Sequence, residues 1–374
     1  MRKYFGYYML LIFMVFIWAC SDDSTIIEID DDNNTPVAVT FSRAELLENW
    51  ADNIIIPSYE AFIVSFTAFE ASFENFRSEP TTESFNALRT AWEAAYISWQ
   101  HISMFEIGPA ETDGLRLNIN TFPADVTLIE SQIESGIYNF DLSSTRDTKG
   151  FPALDYLFNG REDNLAVFTD PITSDSNMIY TNDVIADMGT RARTVLAAWQ
   201  SDFRDEFIAS DGSSSVASVD RLTNDYIFYY ERFLRAGKMG IPAGVFSGNV
   251  APNTIEALYQ DGLSNILFLE ALDAVQDFFN GIQFNGGING LGYDDYLETI
   301  DLGGELVNQI NNQLNVARTE VSALDSFSSE IANNDPPIDM LMAYDEVQRV
   351  VVLIKTDLLS LLSIDVDFVD ADGD

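Results

Sequence analysis

The chain has 374 residues, 60 of them Asp or Glu and 19 Lys or Arg, for a formal net charge of −41. Such a surplus repels nucleic acid and anionic lipid and attracts cations or basic partners, which excludes a nucleic-acid-binding role. The single cysteine rules out an internal disulfide, the single histidine leaves little for zinc chemistry, and 47% apolar residues supply a core that must hold the fold unaided.

Residues 1–20 read as a lipoprotein signal peptide. Arg2 and Lys3 give a positive start, and the apolar run from Tyr7 to Ala19 is shorter than the ~20 residues of a membrane-spanning helix. Ile17-Trp18-Ala19-Cys20 resembles a bacterial lipobox, in which the chain is cleaved before Cys20 and lipid is attached to its thiol. Acyl chains anchor a protein to a membrane without a spanning helix. An ordinary signal peptide with a nearby cysteine is the other reading. Residues 21–40 are acidic and Asn-rich and are expected to form a flexible linker. Within them, Ser21-Asp22-Asp23 resembles an export signal that places lipoproteins on the outer surface. The expected location is therefore the outer membrane, either surface-exposed or facing the periplasm.

Helical periodicity dominates the chain beyond the linker. From Ser42, a good N-cap, a pattern runs to about Ser78 with Phe62, Phe66, Phe69, Phe73 and Phe76 at three- and four-residue steps. Pro57 is expected to kink or interrupt it. A second helix is predicted over Thr82–Phe105, and a third from Phe122-Pro123 to about Ile133. Further helical patterns cover Asp183–Ile208, Ser218–Ala236, Thr254–Asn280, Leu302–Ile331 and Ile338–Leu362. No strand alternation stands out. The expectation is all-α: two stacked helical bundles, one over residues 41–175 and the other over 176–374.

One stretch carries the sharpest signal. Gly150-Phe151-Pro152-Ala153-Leu154-Asp155 opens a short apolar helix, and it resembles the Gly-x-His-x-x-Glu signature of the imelysin-like family, also called M75 peptidases. Pro152 stands at the His position and Asp155 at the Glu position. In a helix, residues three apart share a face, so the family's pair can point at one metal ion. Proline has no ligating side chain, so half of that pair is missing here. Glu106 ahead of Gly108-Pro109 and the run Asn118 to Pro123 resemble further blocks of the family, and Gly237-Lys238-Met239-Gly240-Ile241-Pro242-Ala243-Gly244 and Asp370-Ala371-Asp372-Gly373-Asp374 resemble blocks of its lipoprotein branch.

The resemblance implies the two-bundle fold and a link to iron uptake. It brings Asp155, Glu106 and His101 forward as ligands for iron or another divalent cation. The alternative for them is a polar cluster closed by hydrogen bonds to Lys149, Arg116 or backbone, with His101 a core histidine on an apolar stripe. No Gly-x-Ser-x-Gly elbow and no spare cysteine supports nucleophilic catalysis. The reading is a non-catalytic, lipid-anchored binding protein serving iron or iron-ligand acquisition. Its alternative is capture of a glycan or peptide without metal, and a metallopeptidase ranks third. The acidic end Asp370-Ala371-Asp372-Gly373-Asp374 lacks EF-hand spacing, and the glycine-rich Gly286–Gly292 lacks a phosphate-binding Lys-Ser/Thr.

Overall fold

The computed structural model describes residues 41–284, 286, 289–300 and 304–368, together with the strand backbones of 25–29 and 36–40. Cys20, the signal segment and the final acidic residues lie outside the described residues. The linker departs from expectation: Thr25–Ile29 pairs antiparallel with Pro36–Thr40, with Thr25 opposite Thr40. Ile, Val and Thr suit a paired, extended backbone, a preference that the acidic composition around them masked.

The body is all-α. Helix α1, Arg43–Ser78, begins where the Ser42 hydroxyl accepts the Glu45 amide at 3.2 Å. Pro57 does not break it. The chain makes a wider π turn over Trp50–Ile55, and Pro57 then falls in the first turn of the segment Ile56–Ser78. The donor that proline lacks is thereby lost where the bonding pattern is already shifted. Helix α2, Thr82–Trp99, opens on a capping box between Thr81 and Ser84 and packs along α1. It ends short of the expected Phe105, with turns over Gln100–Met104.

The phenylalanine comb of α1 is the core of this first group. Phe62 meets the Trp99 ring at 5.7 Å, and Phe76 meets Phe85 at 5.1 Å. Each such burial contributes roughly 1.5–3 kcal/mol. By length and composition α1 could cross a membrane, but this face is sealed inside the protein, with Phe62, Phe66, Phe69 and Phe76 wholly buried.

Helix α3 is Val126–Ser135, capped by Asp125, and α4 is Gly150–Asn159. Helix α5, Ser174–Ala198, packs on α1 and α4. Most of it lies beyond residue 175, where the second bundle is expected to begin, yet it packs against the helices of residues 43–159. Next come α6, Ser218–Phe228, running on through a π-helical stretch Tyr229–Gly240, and α7, Leu263–Phe279. Helices α8, Glu305–Ser322, and α9, Ile338–Val352, pack against each other and complete the second group. The expected helix Leu302–Ile331 is broken before Phe327–Asn333, which has Ser326 as its own cap. Helices α2 and α7 touch and join the two groups.

Helix α4 enters through Gly150, whose φ is +77°; a Cβ there would lie 2.1 Å from the Ile119 carbonyl oxygen. Gly136 also has positive φ, but nothing lies within 4 Å of its would-be Cβ. Gly136→Ala is therefore expected to cost the ~1–2 kcal/mol of the left-handed backbone alone. Gly150→Ala should cost clearly more, read as the difference between their urea midpoints. Equal losses would mean that the contact with Ile119 does not constrain the chain.

Candidate functional site

Asp155 projects from α4 and is almost wholly buried. One carboxylate oxygen accepts the Tyr259 amide at 2.8 Å, and the other accepts the Asn159 side-chain amide at 2.9 Å. Burial pushes its pKa up to about 6, against the pull of the Tyr259, Asn159 and Gln260 donors and of Arg89. The motif carboxylate therefore clamps the loop that precedes α7. Tyr259 packs beside Tyr156 at 5.6 Å, and a Cβ on Gly160 would strike both rings.

That loop is gripped from its other side as well. Glu256 is buried and paired with the ammonium of Lys238, which also donates to the Gln100 side chain at 2.9 Å. Asn120 donates to Glu256 at 2.7 Å, and the Tyr96 hydroxyl bonds Asn120 at 2.6 Å and Glu256 at 3.2 Å. Burial lowers the Lys238 pKa, opposed by Glu256, and drives the Tyr96 phenol far up. The Tyr96 ring stacks on Phe151 of the motif at 4.3 Å. Between the two grips Ala257 sits at φ 51°, a left-handed conformation that alanine holds only when its surroundings over-determine it.

Beside this assembly lies a cavity of about 220 Å³, with Phe122, Pro123, Pro152, Asp155, Ile255 and Tyr259 in its walls. It joins the first helical group to the loop leading into the second. The two motif positions singled out from the sequence, Pro152 and Asp155, both line it.

The three expected metal ligands do not converge. Glu106 lies in a different cluster, where its carboxylate accepts the Arg116 amide at 2.8 Å and its own amide donates to Asp225 at 2.6 Å. Arg116 donates to both Asp225 oxygens at 3.0 Å. Burial raises the Glu106 pKa to about 7 despite Arg116. His101 is half-buried and bonds Glu270 at 2.7 Å on the edge of another cavity, of about 290 Å³. Among the described residues, no group of three His, Cys, Asp or Glu side chains could hold a metal ion. The residues present therefore do not fit a bound metal: Pro152 offers no donor, and both Asp155 oxygens are engaged.

Lys238, Glu256, Gln100 and Tyr96 were not singled out from the sequence. Lys238 stood inside a glycine-rich block, which was a usable hint. Glu256 falls in a stretch read as the start of a helix, and no local pattern marks it as the partner of Lys238.

Comparisons place these features among known proteins. The family described as Imelysin, of the M75 peptidases, matches residues 55–353. Iron-regulated protein A of Synechococcus elongatus is 24% identical over 156 residues, which span 42% of this chain and 40% of that protein. The chain thus aligns with less than half the length of this curated relative. The structure of an iron-regulated protein A precursor from Parabacteroides distasonis superposes with a TM-score of 0.69 at 14% identity, covering 84% of this chain and 95% of that one. An imelysin-like protein from Psychrobacter arcticum gives 0.68 at 18% identity, over 89% and 100%. At these identities the two structures show the fold.

Two measurements test the site. Lys238→Met leaves Glu256 buried without its counter-charge and should cost about 3–5 kcal/mol, while Lys238→Met combined with Glu256→Leu should recover part of that loss in urea unfolding. A double variant at least as unstable as Lys238→Met alone would contradict this. The second concerns pH. Glu106 holds its proton more tightly folded than unfolded, so its contribution is full below about pH 4.5, the unfolded value, and is lost as pH rises through about 7. The fall in Tm between pH 5 and pH 8 should be smaller in Glu106→Gln, and an unchanged fall would refute the assignment.

Proposed function

Starting from the fact that the chain belongs to the imelysin family, we propose that it is a lipid-anchored binding protein of the cell envelope. It serves iron or iron-ligand acquisition and does so without catalysing a reaction. The observation that carries this reading is the engagement of the motif carboxylate. Asp155 is committed to the Tyr259 amide and Asn159, and Pro152 replaces the imidazole. Among the described residues, the cleft above them has no cluster of three His, Cys, Asp or Glu side chains to hold a bare ion. Hydrolysis by a bound metal needs an open coordination position on an ion held by protein donors. A cleft of this kind suits a chelated iron species, whose coordination is largely satisfied before it arrives.

Two further points support the reading. The matched relatives from Synechococcus elongatus and Parabacteroides distasonis are both named as iron-regulated protein A. The strongly acidic composition attracts cationic cargo at long range. The anchor follows from Cys20 and its lipobox-like flank, and the outer membrane from the acidic stretch behind it.

Expression is expected to rise on iron starvation. Protein purified without chelator and incubated with ferric ion alone should retain the same small amount of iron whether it is wild type or Asp155→Ala, whereas ferric ion held in a trihydroxamate chelate of net positive charge should be retained by both. Stoichiometric ferric ion in the wild type that is lost in Asp155→Ala would overturn the reading, as would peptide hydrolysis abolished by a chelator. Labelled palmitate should enter the wild type but not Cys20→Ala, and the variant should leave the membrane fraction; a variant that stays membrane-bound would refute the anchor.

A further inference from the structure

A second cavity, of about 200 Å³, lies on the other side of Phe122 and Pro123, which line both. Its walls are apolar: Leu117, Phe122, Pro123, Phe233 and Ile241, with Gly237 between them. A Cβ on Gly237 would already touch the Phe122 ring at 3.8 Å, so the glycine leaves space that a larger residue would fill. Phe233 is held from behind by the Arg116 guanidinium, 4.8 Å from its ring centroid. The wall is therefore set before any ligand arrives.

The polar groups at this cavity are nearly all committed. Asn120 serves the Tyr96 and Glu256 network. The Thr121 hydroxyl donates to the Leu117 carbonyl at 2.6 Å, and that of Thr254 to the Ala251 carbonyl at 2.7 Å. Arg232 differs. It is exposed, lines the cavity and has no ion pair, hydrogen bond or ring contact among the described residues. Arg89 donates to Gln260; Arg146 also lacks a hydrogen bond or ion pair among the described residues, but it is half-buried with its Nε closed off from solvent; and the remaining described basic side chains are all in ion pairs, Arg204 and Arg318 being two examples. In a chain with 60 acidic residues, partners for a surface arginine are not scarce. An uncommitted guanidinium at the mouth of an apolar pocket leaves a charge with no complement among the described residues.

We propose that this cavity binds a small carboxylate carrying a single aromatic or similarly flat apolar ring. The carboxylate would meet Arg232 through two parallel hydrogen bonds, the geometry that a planar guanidinium favours. The ring would enter between Phe122 and Phe233, where offset or edge contacts are favourable. The volume sets the size, because drug-sized ligands occupy pockets of ~300–1,000 Å³ and this one is smaller. The charge sets the sign, since a cationic or neutral analogue of the same shape leaves Arg232 unanswered. The site stands on its own geometry and does not depend on a role in iron acquisition.

Titration of the full chain with benzoate, benzamide and benzylamine tests the proposal. Benzoate should bind at least tenfold more tightly than the other two, and Arg232→Gln should remove that preference while Arg232→Lys keeps part of it. Because Arg232 is exposed and unpartnered, the melting temperature of both variants should match the wild type. A crystal soaked with 4-bromobenzoate gives a readout without mutation: bromine density is expected between Phe122 and Phe233. Equal affinity for the three probes, undiminished benzoate binding in Arg232→Gln, no binding at millimolar benzoate, or bromine only elsewhere would each overturn the proposal.

Discussion

The buried pair of Lys238 and Glu256 is the constraint on which the rest of the site depends. Two charges removed from water are tolerated only when every remaining donor and acceptor is answered. Here Gln100 and Tyr96 come from the end of α2 and the turn after it, Asn120 from the segment before α3, and Lys238 from the π-helical stretch after α6. Satisfying one ion pair thus fixes the relative positions of elements more than a hundred residues apart. It also brings the loop at Glu256 to the place where Asp155 can hold it.

The Gly-x-Pro-x-x-Asp stretch is accordingly a structural clamp. Gly150 allows the chain to pass against the Ile119 carbonyl, Phe151 stacks on Tyr96, and Asp155 holds the Tyr259 amide. Pro152 suits the first turn of α4, where its missing N–H has no helical partner to lose. The Asp155 carboxylate is pulled onto the loop backbone, with one oxygen on the Tyr259 amide and the other on the Asn159 side chain. The left-handed Ala257 shows that the loop is held against its own preference from both ends.

The two cavities divided by Phe122 and Pro123 differ in chemistry. The one above Asp155 has in its wall a carboxylate whose two oxygens are committed to the protein, while the one beside Arg232 has a largely apolar wall and a cation at its edge with no partner among the described residues. Position explains the contrast. Asp155 is buried where the two helical groups meet, so its oxygens must be answered internally, whereas Arg232 lies on the solvent side of the π-helical stretch.

Much of the fold was legible because it is written in local periodicity. The comb from Phe62 to Phe76, the Ser42 cap and the stripe of α2 follow from 3.6-residue spacing and side-chain capping, which neighbouring residues decide among themselves. The importance of Gly150 was legible too, and so was membership of the imelysin family. Tertiary structure decided the rest. It placed α5 over the first helical group, split the helix expected at Leu302–Ile331, paired Lys238 with Glu256, and sent His101, Glu106 and Asp155 to three different surroundings. Those outcomes depend on which buried charge finds which partner across the core. Spacing along one helix carries no information about that, because the partners belong to different elements and meet only when the bundles close.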